Sequence, residues 1–153
     1  MKKRIASLLL ALVMVLSLVP TTVWAAENHD GQVRVVVENT TYAKANGAAW
    51  DGTLVDKWVD LAPGSSMMDC IVSALGTYSQ TGAESGYISE INGLSAGDGG
   101  EASGWMGTLN DWFTNVGFKD IKAGDKLFAG DIIRVMYTTN GYGADIGGDW
   151  DTQ

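Results

Sequence analysis

The side chains that most often carry out catalysis are scarce in this sequence. The chain of 153 residues contains one histidine, His29, and one cysteine, Cys70. His29 lies in a short polar stretch before the first patterned segment, so a Ser, Thr or Cys nucleophile has no histidine base inside the predicted fold. Zinc needs several His and Cys ligands, which the chain does not offer. Cys70 lies beside the apolar face of a predicted helix, where a free cysteine is typically a small core side chain.

Carboxylate chemistry is the remaining enzymatic alternative, because pairs of Asp or Glu can hydrolyse glycosides or bind calcium without histidine. The acidic residues are spread singly through predicted turns. Asp145, Asp149 and Asp151 in the C-terminal tail are the one cation candidate, but their spacing matches no calcium loop, and a solvated tail is the simpler interpretation. We therefore expect no enzyme, no catalytic residue and no metal site.

Tryptophan is the abundant residue with recognition chemistry, since the chain contains six. Two of them, Trp105 and Trp112, lie close together in the sequence, and glycines lie near Trp105 on both sides. Core packing explains part of this content. Glycine also lets a ligand approach the backbone, and an aromatic ring beside it can lie flat against that ligand. The predicted ligand-binding residues are Trp105, Met106, Gly107, Trp112 and Phe113.

The N-terminus has the layout of a signal peptide. A cationic start, Met1 to Arg4, is followed by an apolar stretch from Ile5 to Val19 that is short for a membrane span, and Val23-Trp24-Ala25 offers small residues for cleavage after Ala25. We expect a secreted or cell-surface protein with no membrane span after cleavage. The predicted organisation is a signal peptide at 1–25, a polar leader at 26–32, one domain at 33–139 and a Gly/Asp-rich tail at 140–153.

Charge excludes one class of partner. The formal net charge is −8, and removal of residues 1–25 takes away three of the ten Lys and Arg and none of the 18 acidic residues, which leaves −11. Binding to phosphate backbones requires a basic face, so nucleic acid is not an expected partner. A single cysteine also forms no intramolecular disulfide, and stability must come from packing.

The patterned segments predict an α+β fold. Val33, Val35 and Val37 alternate with their neighbours as in a half-buried strand, and Leu54 to Leu61 completes a hairpin. Helical spacing runs from Met67 to Leu75 behind a capping box at Ser66. The further predicted strands are Tyr87–Ile91, Trp105–Leu109 and Ile132–Thr138. Turns are predicted at Asn92-Gly93 and Asn110-Asp111, the second followed by an apolar return at Trp112-Phe113. We expect a small mixed or antiparallel sheet with one helix packed on a face, similar to a β-grasp, and an irregular tail.

Several of these segments also resemble a known family. Ser103-Gly104-Trp105-Met106, Asn115-Val116-Gly117 and the segment from Gly130-Asp131 to Tyr137-Thr138 resemble the motifs of the transcobalamin-like C-terminal domain, also numbered as the domain of unknown function 4430. The resemblance covers about Val33 to Thr138. Gly107 replaces the family's usual Tyr, and Asp111 replaces a Gly, from which we expect a wider or repositioned turn beside Trp112. The stretch from Lys119 to Ala129 predicts a longer loop.

The resemblance implies a small β-rich domain of exported or surface proteins in Gram-positive bacteria. In animal cobalamin carriers the equivalent domain covers one face of the corrin, and the contact segment corresponds to Gly104-Trp105-Met106 here. We therefore expect a secreted, non-enzymatic binding module for cobalamin, another corrinoid or another flat amphipathic ligand, with no certain cofactor. The alternative is an extracellular module that binds a protein or cell-wall partner and no small molecule.

Overall fold

The structure is a computed structural model that describes residues 29–140, 143–146 and the backbone of 149–150. The predicted signal peptide, Asp151 and the side chain of Asp149 lie outside the described residues. All the elements below belong to one compact unit, Gly31–Gln153. Among the described helices, none has the length and apolar character needed to cross a bilayer.

The architecture consists of one helix and two sheets, which confirms the predicted α+β class. The helix α1 is Met67–Leu75. The larger sheet contains β1 (Gln32–Asn39), β2 (Gly52–Asp60), β6 (Gly104–Leu109), β7 (Trp112–Phe113), β8 (Ile132–Thr138) and β9 (Asp149–Trp150), and the smaller one contains β3 (Gln80–Thr81), β4 (Glu90–Ile91) and β5 (Leu94–Ser95). The larger sheet has the order β2-β1-β8-β6-β7-β9, and the smaller has β3-β4-β5.

The larger sheet is mixed. β1 pairs antiparallel with β2 and parallel with β8, while β8 and β6, and then β6 and β7, pair antiparallel. Because β1 and β8 are parallel, the chain between them must cross over the sheet. The β1–β2 hairpin, the helix α1 and the strand β8 beside β1 together give the predicted β-grasp-like arrangement. β-branched residues alternate along β1 and β8, so Val35 and Val37 lie beside Ile133 and Val135 on one fully buried face.

α1 begins where the sequence predicts it, because Ser66 and Asp69 form a capping box at its first turn. The Asp69 amide donates to the Ser66 hydroxyl at 3.1 Å, and the Ser66 amide donates to the Asp69 carboxylate at 2.9 Å. Gly76 ends the helix with φ of +59°. The helix buries its apolar side against β1 and β2, and Cys70 is buried there as predicted. That burial raises the pKa of the Cys70 thiol, which keeps it protonated and unreactive.

Three aromatic side chains hold the small sheet against the large one. The Trp50 Nε1 donates to the Ile91 carbonyl at 3.0 Å, and the Trp105 Nε1 donates to the Leu94 carbonyl at 3.0 Å. The Tyr137 hydroxyl donates to the Ser95 carbonyl at 2.8 Å. Buried Trp and Tyr need partners for their polar atoms, and these bonds supply them. The rings therefore determine where the small sheet sits.

Three expectations about the later strands are wrong in part. The predicted strand from Tyr87 to Ile91 is reduced to β4, because its partner β3 is only two residues long and the chain turns at Gly82 into a 3-10 turn, Ala83–Ser85. The strands therefore form two sheets rather than one. The tail is not wholly irregular, since β9 pairs parallel with β7, which would otherwise be an edge strand.

Candidate functional site

The hairpin of β6 and β7 is fixed by its turn and by β8. Asn110 and Asp111 have φ of +52° and +71°, as both central residues of a type I′ turn require, and Leu109 pairs directly with Trp112. The Asn110 side-chain Nδ2 donates to the Asp131 carboxylate at 3.1 Å, and the Asn110 Oδ1 accepts from the backbone amide of Ile132 at 2.8 Å. The turn has two residues, so it is not wider as one form of the expectation had it, and its repositioning relative to the family stays a prediction. The position of Trp112 is therefore set by the turn, by its pairing with Leu109 and by the Asn110 hydrogen bonds.

A groove of about 510 Å³ lies beside this hairpin. Its rim carries three large apolar side chains that are exposed, with Trp112 at 49%, Phe128 at 52% and Val116 at 38%. Exposed aromatic side chains around a concave surface are typical of a binding site. The lining residues are Leu109, Asn110, Trp112, Thr114, Asn115, Val116, Ile121, Asp125, Lys126 and Phe128.

Polar side chains in the groove fall into two groups. The Asn110 side chain is bonded to Asp131 and Ile132, as described above. The side chains of Thr114, Asn115, Asp125 and Lys126 make no hydrogen bond or ion pair with any residue that the structure describes. A hydroxyl, an amide, a carboxylate and an ammonium together supply both donors and acceptors. The groove therefore combines an apolar rim with polar groups that are available to a ligand.

The far wall of the groove is tied to the helix and to the sheet. The Met67 amide donates to the Ile121 carbonyl at 2.8 Å, and the Ala123 amide donates to the Ser65 carbonyl at 2.8 Å, which fixes the wall to the start of α1. On the sheet side, the Phe118 ring lies directly over Gly107, where a β-carbon would come within 2.7 Å of its Cε1. The absence of a side chain at position 107 thus allows the wall to approach β6.

Comparison with known families assigns the segment that forms most of this site. Residues 64–139 match the family model described as Domain of unknown function (DUF4430). The chain contains a DUF4430 domain. No curated protein matches the chain. The match begins just before α1, so β1 and β2 lie outside it although they share the sheet with the DUF4430 segment. The transcobalamin-like relationship and its extent back to Val33 stay predictions.

Within the DUF4430 segment, the two predicted tryptophans have opposite environments. Trp112 lines the groove and is half-exposed. Trp105 is 3% exposed and packs between two rings, with its centroid 5.7 Å from that of Trp50 and 5.2 Å from that of Tyr137. Its indole N–H is already bonded to Leu94. Trp105 therefore offers no free ring face to a ligand in this arrangement, whereas Trp112 does.

The other three predicted ligand-binding residues do not line the groove. Gly107 lies under Phe118. Phe113 is 1% exposed and lies on the opposite face of the sheet from Trp112, because neighbouring strand residues point to opposite faces. Met106 shares that opposite face, and Gly143 of the tail packs over both side chains, since a β-carbon there would lie 2.6 Å from the Phe113 Cζ and 3.0 Å from the Met106 Sδ.

Two smaller hollows lie away from the groove. One, of about 400 Å³, borders the start of β6 and includes Trp105, Met106 and the exposed Tyr87 among its lining residues. The other, of about 280 Å³, lies around Asn39 to Asp51. Asn39 is buried there and donates to the carbonyls of Tyr42 and Trp50 at 2.7 and 2.8 Å, so its amide is structural. Of these three concave surfaces the groove has the greatest volume, and it is lined by two exposed aromatic side chains, Trp112 and Phe128, whereas the first hollow has one, Tyr87.

Sequence reasoning missed the far side of the groove. Thr114, Asn115, Val116, Lys126 and Phe128 were not predicted as site residues, although the predicted longer loop from Lys119 to Ala129 supplies part of the wall. Their composition carries no signal, because isolated polar and apolar residues in a loop look alike whether they face a ligand or solvent. The packing of the loop against α1 and Gly107 is what brings Lys126 and Phe128 into the same groove as Trp112.

The described residues bring no reactive cluster together. Residues 29–140 and 143–146 contain no group of three or more His, Cys, Asp or Glu side chains that could hold a metal ion. Asp145, one of the three tail acids, instead accepts hydrogen bonds from the hydroxyl of Thr138 and from the amide and hydroxyl of Thr139, the latter two at 2.9 and 2.8 Å. Its carboxylate therefore anchors the tail to the end of β8.

Proposed function

We propose that this protein is an exported, non-enzymatic binding module whose ligand lies in the groove beside the β6–β7 hairpin. The observation that carries the proposal is the pairing of a half-exposed Trp112 and Phe128 with polar side chains that have no internal partner. Burial of the exposed aromatic surface favours association, and the polar side chains can exchange their water for hydrogen bonds that orient a ligand. The same groove lacks histidine and cysteine, which supports binding rather than turnover.

Export is supported by the N-terminal sequence. The cationic start, the short apolar stretch and the Val23-Trp24-Ala25 site have the order of a signal peptide. The test is N-terminal sequencing of the protein recovered from the medium of an expressing bacterium. We expect the first residue to be Ala26. Retention of Met1 on a protein found only inside the cell would contradict export.

The proposed ligand is flat and amphipathic, and the family resemblance makes a corrinoid the first candidate. A flat ligand would lie against the Trp112 ring, and amide or hydroxyl groups at its edge would meet Asn115 and Thr114. Titration with hydroxocobalamin tests this, because stacking would quench Trp112 emission and shift the visible spectrum of the corrinoid. Trp112→Ala should abolish both signals. Silence in both channels at high micromolar ligand would remove the corrinoid version.

The second candidate is a module that binds an extracellular protein or a cell-wall partner. The exposure of Val116 and Phe128 on the rim favours it, since a macromolecule would cover them as well as the groove. The two candidates separate in one experiment, incubation of the protein with washed cell walls before and after hydroxocobalamin addition. Wall binding that hydroxocobalamin does not displace favours the second candidate.

A further inference from the structure

We infer that the groove takes a neutral glycan, with a pyranose ring stacked on Trp112 and its hydroxyl groups bonded to the polar side chains around it. The inference rests on the proposed function, since it names the ligand class for the same groove. It depends on three observations: the fixed position of Trp112, the mixed donors and acceptors, and the balance of charge.

Trp112 is a half-exposed aromatic platform on rigid backbone. The type I′ turn and the bonds from Asn110 to β8 hold the hairpin, so little conformational entropy is lost when a ligand stacks on the ring. A pyranose with equatorial substituents presents a flat face of C–H groups, which matches an indole in shape and in electrostatic character. Such a ring leaves all of its hydroxyls at its edge, pointing toward the sides of the groove.

The groups on those sides match hydroxyls. Thr114 and Asn115 each offer a donor and an acceptor, Asp125 offers acceptors and Lys126 offers donors, and none of the four has a partner among the described residues. A hydroxyl both donates and accepts, so neighbouring hydroxyls of one sugar can satisfy all four groups. A purely apolar ligand would bury them unsatisfied, at the cost of their hydration.

Charge favours a neutral glycan over an acidic one. Asp125 and Lys126 are adjacent and opposite in sign, so they leave the groove without net charge. The chain as a whole carries a formal net charge of −8, which repels polyanions. An acidic polysaccharide would be attracted by Lys126 but repelled by Asp125 and by the net negative charge of the chain.

The test is isothermal titration of the purified protein with cellohexaose and chitohexaose, and with polygalacturonate as the acidic comparison. We expect Trp112→Ala to weaken binding of the neutral oligosaccharide by about tenfold or more, as truncation of a central aromatic contact does. Asn115→Ala should weaken it as well while leaving the apolar surface intact. Tyr78→Ala, which removes an exposed aromatic side chain outside the groove, is the matched control and should bind as the wild type does.

The outcomes separate this inference from the proposed function. Binding of a neutral hexasaccharide that depends on Trp112 and Asn115 supports both. Trp112-dependent binding of hydroxocobalamin without binding of either hexasaccharide overturns the glycan inference and keeps the groove as a binding site. Binding of polygalacturonate alone overturns the charge argument and with it the inference. If neither hexasaccharide nor hydroxocobalamin binds, both the inference and the corrinoid proposal fail.

Discussion

The two tryptophans of the β6–β7 hairpin lie on the same face of the sheet, yet Trp105 is buried and Trp112 is half-exposed. Trp105 shares that face with Leu109, which pairs directly with Trp112 across the hairpin, and paired residues point to the same side. Over Trp105 lie the small sheet, Trp50 and Tyr137. Trp112 lies past the end of that cover, where the groove begins. The surrounding cover, rather than the strand pattern, decides which ring is available.

Polar groups divide in the same way. At the Trp105 end the Tyr137 hydroxyl donates to Ser95, accepts from the Gly99 amide at 3.0 Å and lies 3.0 Å from the Ser103 hydroxyl. At the Trp112 end, the side chains of Asn115 and Lys126 make no hydrogen bond or ion pair with any described residue. Buried networks that are fully satisfied make a fold specific, while unsatisfied groups in a groove leave bonding capacity for a ligand. One end builds the fold, and the other end is the candidate site.

The largest effect should come from exchanging each tryptophan for alanine. Trp105→Ala removes a buried ring and the bond to Leu94, and we expect it to lower the free energy of unfolding by about 3–5 kcal/mol. Trp112→Ala should lower it by about 1 kcal/mol or less, because a half-exposed side chain loses little burial. Urea unfolding measures both, and the comparison requires the same m-value for the two variants.

Equal losses of unfolding free energy in Trp105→Ala and Trp112→Ala would contradict the contrast between a buried and an available tryptophan. Equal destabilisation would mean that Trp112 is as much a core residue as Trp105, and the groove would then be a gap in packing. A small loss for Trp105→Ala would mean that the small sheet is held by contacts other than its three aromatic donors. Trp50→Ala removes the neighbouring donor and ring, and provides the matched control for that case.

An intermediate effect should come from Gly107, which links the core to the groove wall. A methyl group at this position meets the Phe118 ring and lies 3.3 Å from the Met67 Cε, so Gly107→Ala should cost about 1–3 kcal/mol by overpacking. Adding Phe118→Leu makes room, and the double variant should recover part of the loss, which a double-mutant cycle measures. Acrylamide quenching of Trp112 should change in the single variant, because the wall moves.

Gly117→Ala is the matched control for this cycle. It adds the same methyl group one residue before Phe118, but the nearest neighbour of that methyl group, an Asp120 oxygen, would lie at 3.6 Å, which is an ordinary contact. Its backbone has φ of −64°, which alanine adopts without strain. We expect stability close to that of the wild type. If Gly117→Ala costs as much as Gly107→Ala, the Phe118 contact does not explain the effect.

The local elements could be predicted from the sequence because their causes are local. β1, β8 and α1 follow from β-branched alternation, apolar helical spacing and the Ser66 capping box. The turns at Asn92-Gly93 and Asn110-Asp111 follow from residues that tolerate positive φ. These features depend on neighbours within a few positions, which a single sequence displays.

The candidate site was predicted only in part, because its geometry depends on distant segments. The predicted aromatic cluster included Trp112, which lines the groove, but it also included Trp105 and Phe113, whose burial depends on the small sheet and on the tail. The division into two sheets was missed for the same reason, since β3 ends after two residues where the chain turns at Gly82, with φ of +104°. Long-range closure of this kind leaves no local pattern.

The smallest expected effect concerns the tail, which covers the opposite face of the same hairpin at Phe113. Burial raises the pKa of the Asp145 carboxyl, but hydrogen bonds from Thr138 and Thr139 lower it by more than burial raises it. The pKa of Asp145 in the folded protein therefore lies below the ordinary value of 3.8. A depressed pKa adds stability that is fully present above pH 3.8 and is lost as the pH falls through the folded pKa. Asp145→Asn should therefore flatten the decrease of stability in acid below that pH. Urea midpoints of the variant and the wild type between pH 2 and 6, with Glu84→Gln as an exposed-acid control, measure the difference, and parallel curves would show that the Asp145 charge does not hold the tail.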